Sequence, residues 1–178
     1  MSAMRTLRAP GLTLEPQTEA HAPEMFVLLS EPRLHTYLDQ APPISAEALR
    51  ERYLRLESRT SGDGTEQWLN WAIRLDSGVL AGFVQATLPA HAAGWIAFAL
   101  GLPHWGQGIA RRATQAMIDE LCSAYGIEHL LACAERDNHR SIGLLTRLGF
   151  VPAAAALHAR HELSATEVLM QRDLDECS

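Results

Sequence analysis

The stretch Leu100-Gly-Leu-Pro-His-Trp-Gly-Gln-Gly-Ile-Ala-Arg-Arg112 decides the fold. It reads as the end of a short apolar strand, a proline turn, two closely spaced glycines and then a helix. That order presents free backbone N–H groups at a helix N-terminus, a device for holding phosphate. Gly106 and Gly108 let the backbone approach a ligand where a Cβ would intervene. The following helix is clear. Ile109, Ala113, Ala116, Met117 and Leu121 recur at helical spacing, and Gly126 stops the run just after Tyr125.

Two nucleotide loops are excluded directly. No G-x-x-x-x-G-K-[ST] string occurs, and G-x-G-x-x-G would need glycine at Arg111. What remains is x-x-x-G-x-A, written Trp105-Gly106-Gln107-Gly108-Ile109-Ala110. A glycine pair alone is equally compatible with a plain strand–helix turn. A downstream element makes that alternative the weaker one. Leu130 to Ala134 is a short apolar run, and Asp137 and Asn138 are turn and helix-cap residues. After Asn138-His-Arg-Ser141, Leu144, Leu145 and Leu148 form one apolar helical face, closed by Gly149 and Phe150. Taken singly, Asn138 is a cap and Ser141 a solvated first-turn residue.

Together these segments resemble the GNAT superfamily of N-acetyltransferases. The loop matches [QR]-x-x-G-x-[GA], except that Trp105 stands at the first position. The second segment matches the N-x-x-[AS] element and closing L-G-F. The surroundings of Trp105 resemble the branch of ribosomal-protein N-terminal acetyltransferases, of RimJ and RimL type. The resemblance covers roughly Trp68 to Arg172. It implies an α/β (α+β) fold: a mixed, mostly antiparallel central sheet flanked by helices, whose fourth and fifth strands, in the family's count, splay apart to hold the coenzyme.

The resemblance further implies acetyl-CoA as co-substrate, with no metal. Trp105, Gly106, Gln107, Gly108, Ile109 and Ala110 form the pyrophosphate loop, with Arg111 beside the phosphates. Main-chain groups of Leu100 and Leu102 pair with the pantetheine amides, and Asn138 and Ser141 lie near the thioester. The activity implied is transfer of acetyl to an amine by direct attack. Many members carry a Tyr four residues after the [AS] position; here it is Leu145. Ser141 is therefore the expected catalytic residue, a hydrogen-bond donor to the sulfur. The base stays open between Glu135, Glu66, His139 and water, since an unaided carboxylate near pKa ~4.3 serves an ammonium poorly. A non-catalytic CoA-binding module is the alternative that Leu145 keeps open.

Composition bounds the rest. The chain has 178 residues, 47% hydrophobic and 20% charged, which suits one globular domain over 1–178. A net charge of −6 argues against nucleic acid or anionic membrane as partner and is compatible with an amine acceptor, a protein N-terminus or a small molecule. Cys122, Cys133 and Cys177 form no C-x-x-C, which fits a cytoplasmic protein without a zinc or redox motif. Met1 to Pro10 lacks the apolar core of a secretory signal, and no run reaches the ~18 apolar residues of a membrane helix. His158-x-x-His161 lacks further ligand spacing, and no metal is expected. A monomer or homodimer is expected.

Along the chain, Leu12 to Leu14 reads as the first strand, Pro23 to Leu29 as a helix, and Ser45 as the cap of a helix carrying Leu49, Tyr53 and Leu56. Arg59 to Glu66 reads as a mobile surface loop. Gln67 to Leu75 alternates, with Leu69, Trp71, Ile73 and Leu75 on one face, and predicts a half-buried strand. Asp76-Ser-Gly78 then turns the chain into Val79 to Leu88. Strands at Gly94 to Leu100, Ile127 to Ala134, near Phe150 and at Glu167 to Arg172 complete the pattern. Trp68, Trp71 and Trp95 are expected to pack, and His104 to sit in the turn. The alanine-rich Ala153 to Ala156 carries no signal.

Overall fold

A computed structural model describes residues 4–37, 41–90 and 93–174. Strands β1 (Leu7–Ala9) and β2 (Leu12–Pro16) form a hairpin whose turn uses Gly11 at φ 77°. Then come α1 (Ala22–Leu29), α2 (Ala46–Leu56) and the meander β3 (Glu66–Leu75), β4 (Leu80–Pro89) and β5 (Gly94–Leu100). The chain continues through α3 (Ile109–Tyr125), β6 (His129–Glu135), α4 (His139–Arg147), β7 (Val151–Pro152), α5 (Ala155–Arg160) and β8 (Glu167–Asp173). One eight-stranded sheet results, ordered β1-β2-β3-β4-β5-β6-β8-β7. Among the described strands only β5 and β6 run parallel, joined by the α3 crossover that parallel neighbours require. Among the described residues no helix is long and apolar enough to cross a membrane.

Both sheet faces are covered. On one, α3 and α4 bury Ile109, Ala113, Met117, Leu121, Leu145 and Leu148 against Leu69, Trp71, Ile73 and Val84. On the other, α1 and α2 bury Met25, Leu29, Leu49 and Tyr53 against Ala72 and Leu80. The local signals behind these helices hold. Ser45 Oγ accepts the Ala48 N–H at 3.0 Å, and Gly126 closes α3 in the left-handed region at φ 64°.

Several expectations need revision. Strand β3 is not half-buried: Asn70 is 6% exposed and Ala72 0%, because α1 and α2 lie over the face that alternation assigns to solvent. Leu7–Ala9 adds a strand ahead of Leu12, and the alanine-rich segment contributes α5. The surface loop after Arg59 carries its own polar contacts. Asp63 Oδ1 accepts from Ser61 Oγ (2.6 Å), Thr65 N–H (3.1 Å) and Thr65 Oγ1 (2.8 Å), while Thr60 bridges Gln67. Cys177 lies outside the described residues.

Candidate active site

Strands β5 and β6 pair only at Gly94↔Leu130 and Trp95↔Leu131. Beyond those positions β5 runs to Leu100 and β6 to Glu135 with no strand between them, leaving a wedge-shaped gap. Hydrogen-bond alternation identifies the main-chain groups that face it. Gly101 N–H donates to Ala81 O (2.9 Å), so Gly82↔Leu100 is a non-hydrogen-bonded pair. The N–H and C=O of Leu100 and, two residues back, Phe98 therefore point away from β4 into the gap. On β6, Leu174 N–H donates to Glu128 O (2.7 Å) and Arg136 N–H to Thr166 O (2.8 Å). The same alternation turns the main-chain groups of Cys133 and Glu135 toward the gap.

The gap opens next to the glycine loop. Gly106 and Gly108 sit at φ 73° and 71°, a region that side chains disfavour. The first main-chain bond of α3 runs from Arg112 N–H to Gly108 O (3.1 Å). The amides of Gln107, Gly108, Ile109, Ala110 and Arg111 donate to no acceptor among the described residues. A Cβ built on Gly106 meets nothing within 4 Å, so the space beside it is open, whereas one on Gly108 meets Arg112 Nη1 at 3.1 Å. Unpaired amides at the positive end of a seventeen-residue helix suit an anion.

Of the neighbouring cations, Arg111 is exposed, whereas Arg112 folds back over the loop. Its Nη1 donates to Gln107 O (3.2 Å), and its Nε is buried without a hydrogen-bond partner. The residue with the better posture toward an anion is thus Arg112, one position beyond the sequence-based choice.

Trp105 ties the loop to the second motif. Its indole N–H donates to Leu100 O (2.8 Å), and the Arg140 guanidinium lies 4.5 Å from its ring centroid. The start of α4 is thereby held beside the loop. Asn138 Oδ1 accepts Ser141 N–H (3.1 Å), so Asn138 is a helix cap here, while Ser141 Oγ makes no hydrogen bond among the described residues. Leu145 is 1% exposed and packed into the core. Leu102 has left the strand for a short 3-10 turn, with its C=O taken by Trp105 N–H (3.2 Å). Phe98, which sequence patterning passes over, occupies the gap-facing strand position instead.

On the α1/α2 side the gap meets a cavity of about 560 Å³. Helix α2 contributes Arg52, Tyr53 and Arg55; β4 contributes Gln85 and Thr87; Cys133 marks its border with the gap. Burial holds the Tyr53 phenol well above the usual range, and Gln17 hydrogen-bonds it, so it is a hydrogen-bonding group and not a base. None of Glu66, Glu135 and His139 lines the cavity. Glu66 accepts the Trp68 indole N–H (3.0 Å), His139 is exposed, and Glu135 follows Cys133 on the same face at the open end of β6. His158 Nε2 meets Glu167 O (3.3 Å) and His161 packs edge-on against Trp95 at 4.9 Å, so both imidazoles have structural contacts.

The family profile described as "Acetyltransferase (GNAT) domain" matches residues 11–151. Among solved structures, the chain is similar to a RimL ribosomal L7/L12 α-N-protein acetyltransferase in complex with coenzyme A. There the identity is 21%, the TM-score 0.79, and 98% of this chain and 100% of that one are covered. A ribosomal-protein-S5-alanine acetyltransferase from Vibrio fischeri is 18% identical at TM-score 0.77, covering 98% and 100%. An acetyltransferase from Salmonella typhimurium that modifies the N-terminal serine of L7/L12 is 21% identical at TM-score 0.75, covering 96% and 100%. At these identities the likeness establishes the fold. No curated protein sequence matches the chain.

Proposed function

The chain belongs to the GNAT acetyltransferase family, and from that premise we propose that it moves acetyl from acetyl-CoA to an amine by direct attack, with the donor in the β5/β6 gap and the acceptor in the adjoining cavity. The observation that carries this reading is the continuity of three features: unpaired amides at the α3 N-terminus, a strand-edged gap, and a cavity at its far side. The residues fit the donor. The amides of Gln107 to Arg111 would bind pyrophosphate, with Arg112 adding a cation. The main-chain groups of Phe98 and the N–H of Leu100, whose C=O already accepts the Trp105 indole N–H, would take the pantetheine amides as an extra strand would.

Chemistry at an activated thioester asks the protein mainly to position and polarise. The amine nitrogen forms the C–N bond as the C–S bond breaks. A gap-facing N–H of Phe98 or Leu100 would hold the carbonyl oxygen as it gains charge, and one such donor is worth ~3 kcal/mol. Ser141 Oγ, uncommitted among the described residues, would donate to the departing sulfur. With no Asp or Glu among the described cavity residues, the amine's proton would pass to water. The acceptors printed for two structural neighbours, ribosomal-protein N-termini, support an α-amine. A single acetyltransferase domain working in the cytoplasm completes the proposal.

Thermal unfolding with acetyl-CoA, CoA and ATP tests the donor. Both CoA forms should stabilise, by ~2.7 kcal/mol at a hundredfold excess over Kd, and ATP should not. Lack of stabilisation by either CoA form overturns the assignment. Thiol release across a panel of amines and peptides tests transfer itself.

A further inference from the structure

Trp105 is the position at which the glycine loop departs from the [QR]-x-x-G-x-[GA] pattern. The side chain lies half-buried between the two core clusters, one on each face of the sheet. Its indole N–H donates to Leu100 O (2.8 Å), and the N–H of the same peptide unit, that of Gly101, donates to Ala81 O (2.9 Å). The two bonds form a chain through one peptide. Polarising its carbonyl makes its N–H a better donor, so the indole strengthens the hold of the β5 end on β4. That hold keeps β5 away from β6 where the gap opens. The same bond occupies the Leu100 carbonyl, whose negative end would otherwise oppose charge growing on a nearby thioester oxygen. On its face the indole carries the Arg140 guanidinium, 4.5 Å from the ring centroid. Arg140 directly precedes Ser141 in the first turn of α4, so the ring also sets where Ser141 stands.

We infer that Trp105 is a positioning residue for acetyl transfer. One indole fixes the end of the strand that polarises the thioester carbonyl and, through Arg140, the helix that brings Ser141 to the sulfur. The inference rests on the acetyltransferase reading and adds to it a residue that touches no reacting atom. Its effect belongs to the transition state. The unpaired amides at the α3 N-terminus would bind pyrophosphate with or without the indole N–H. The spacing between the Leu100 N–H and Ser141 Oγ counts while the C–N bond forms and the C–S bond breaks. Loss of the indole N–H should therefore appear in kcat and not in the affinity for CoA.

Trp105→Phe, which keeps a ring face for Arg140 and removes the N–H, tests the inference together with Arg140→Ala and Arg140→Lys. Thiol release from acetyl-CoA is followed with whichever acceptor of the amine and peptide panel the wild type turns over fastest, and the Kd for CoA is read by calorimetry. Trp105→Phe should lower kcat about tenfold, the worth of one hydrogen bond, with the Kd for CoA within about twofold of wild type. Its Gly101 amide should exchange with solvent faster than in the wild type, because the bond to Ala81 has lost its polarising partner. Arg140→Ala should lower kcat about threefold, and Arg140→Lys, which keeps a cation over the ring, should recover most of that loss. The inference is overturned if Trp105→Phe retains full kcat, if its loss lies in the Kd for CoA with kcat intact, or if Gly101 exchange is unchanged. It is also overturned if Arg140→Ala turns over like the wild type or Arg140→Lys falls with it. If Trp105→Phe does not fold, the two variants of the exposed Arg140 decide by the same readouts. A wild-type protein that binds CoA and acetylates no amine sinks the underlying reading instead, and Gly101 exchange still tests the clamp.

Discussion

Gly108 combines two constraints that a sequence motif expresses as one letter. Its φ of 71° disfavours any side chain, and its amide belongs to the unpaired set at the start of α3. Gly108→Asp should therefore abolish CoA binding, by backbone strain and by placing an anion where pyrophosphate is expected. Calorimetry reads the result, and unchanged affinity counts against the site. Asn138 illustrates the opposite case, a motif residue whose visible work is structural. It caps α4 through Ser141 N–H at 3.1 Å. Asn138→Ala should cost about 1 kcal/mol in denaturant unfolding, whereas Asn138→Asp, which keeps the cap, should cost little. Both residues were legible in the sequence because turn and cap chemistry is decided by immediate neighbours. Arg112 was not, because a helical side chain's lean onto a preceding loop depends on packing.

Among the elements, β3 separates what periodicity can and cannot say. Alternation correctly puts Leu69, Trp71 and Ile73 on one buried face. It cannot say that α1 and α2 come to rest on the other, because a small or polar residue such as Ala72 or Asn70 suits solvent and a covered face alike. The loop between α2 and β3 offers no periodicity for a related reason: its contacts are short-range and polar rather than apolar. Hydrogen bonds from the Ser61 hydroxyl, then the Thr65 N–H and hydroxyl, hold the Asp63 carboxyl down at about 2. A carboxyl lowered on folding contributes its stability above its ordinary value near 3.8 and loses it as pH falls through about 2. Carboxyl NMR should place the Asp63 midpoint near 2, and a midpoint near the ordinary value would show that the turn does not persist in solution.

At the scale of the molecule, the N-terminal segment is tied to α3 by an ion pair that no local pattern announces. Glu120 is 4% exposed on α3, and Arg5 reaches it through Nε at 2.8 and 2.9 Å and Nη2 at 2.6 Å. Arg5→Ala should lower the melting temperature by leaving a buried carboxylate alone, and adding Glu120→Gln should recover part of the loss. Additive losses would show that the two residues do not interact. The same long-range dependence governs the candidate site. The sequence by itself determined helices α1 to α4, the caps at Ser45, Asn138 and Gly126, and the glycine loop, since each is written in residues within a turn or two of one another, and the glycine loop together with the Asn138 element pointed to the family. Only the tertiary structure decided which strand edges stay unpaired, that Phe98 and Cys133 join Leu100 in facing the gap, and that α2 borders a cavity floored by β3 and β4. Those features arise where segments far apart in the chain meet, and their register and packing are properties of the assembled sheet.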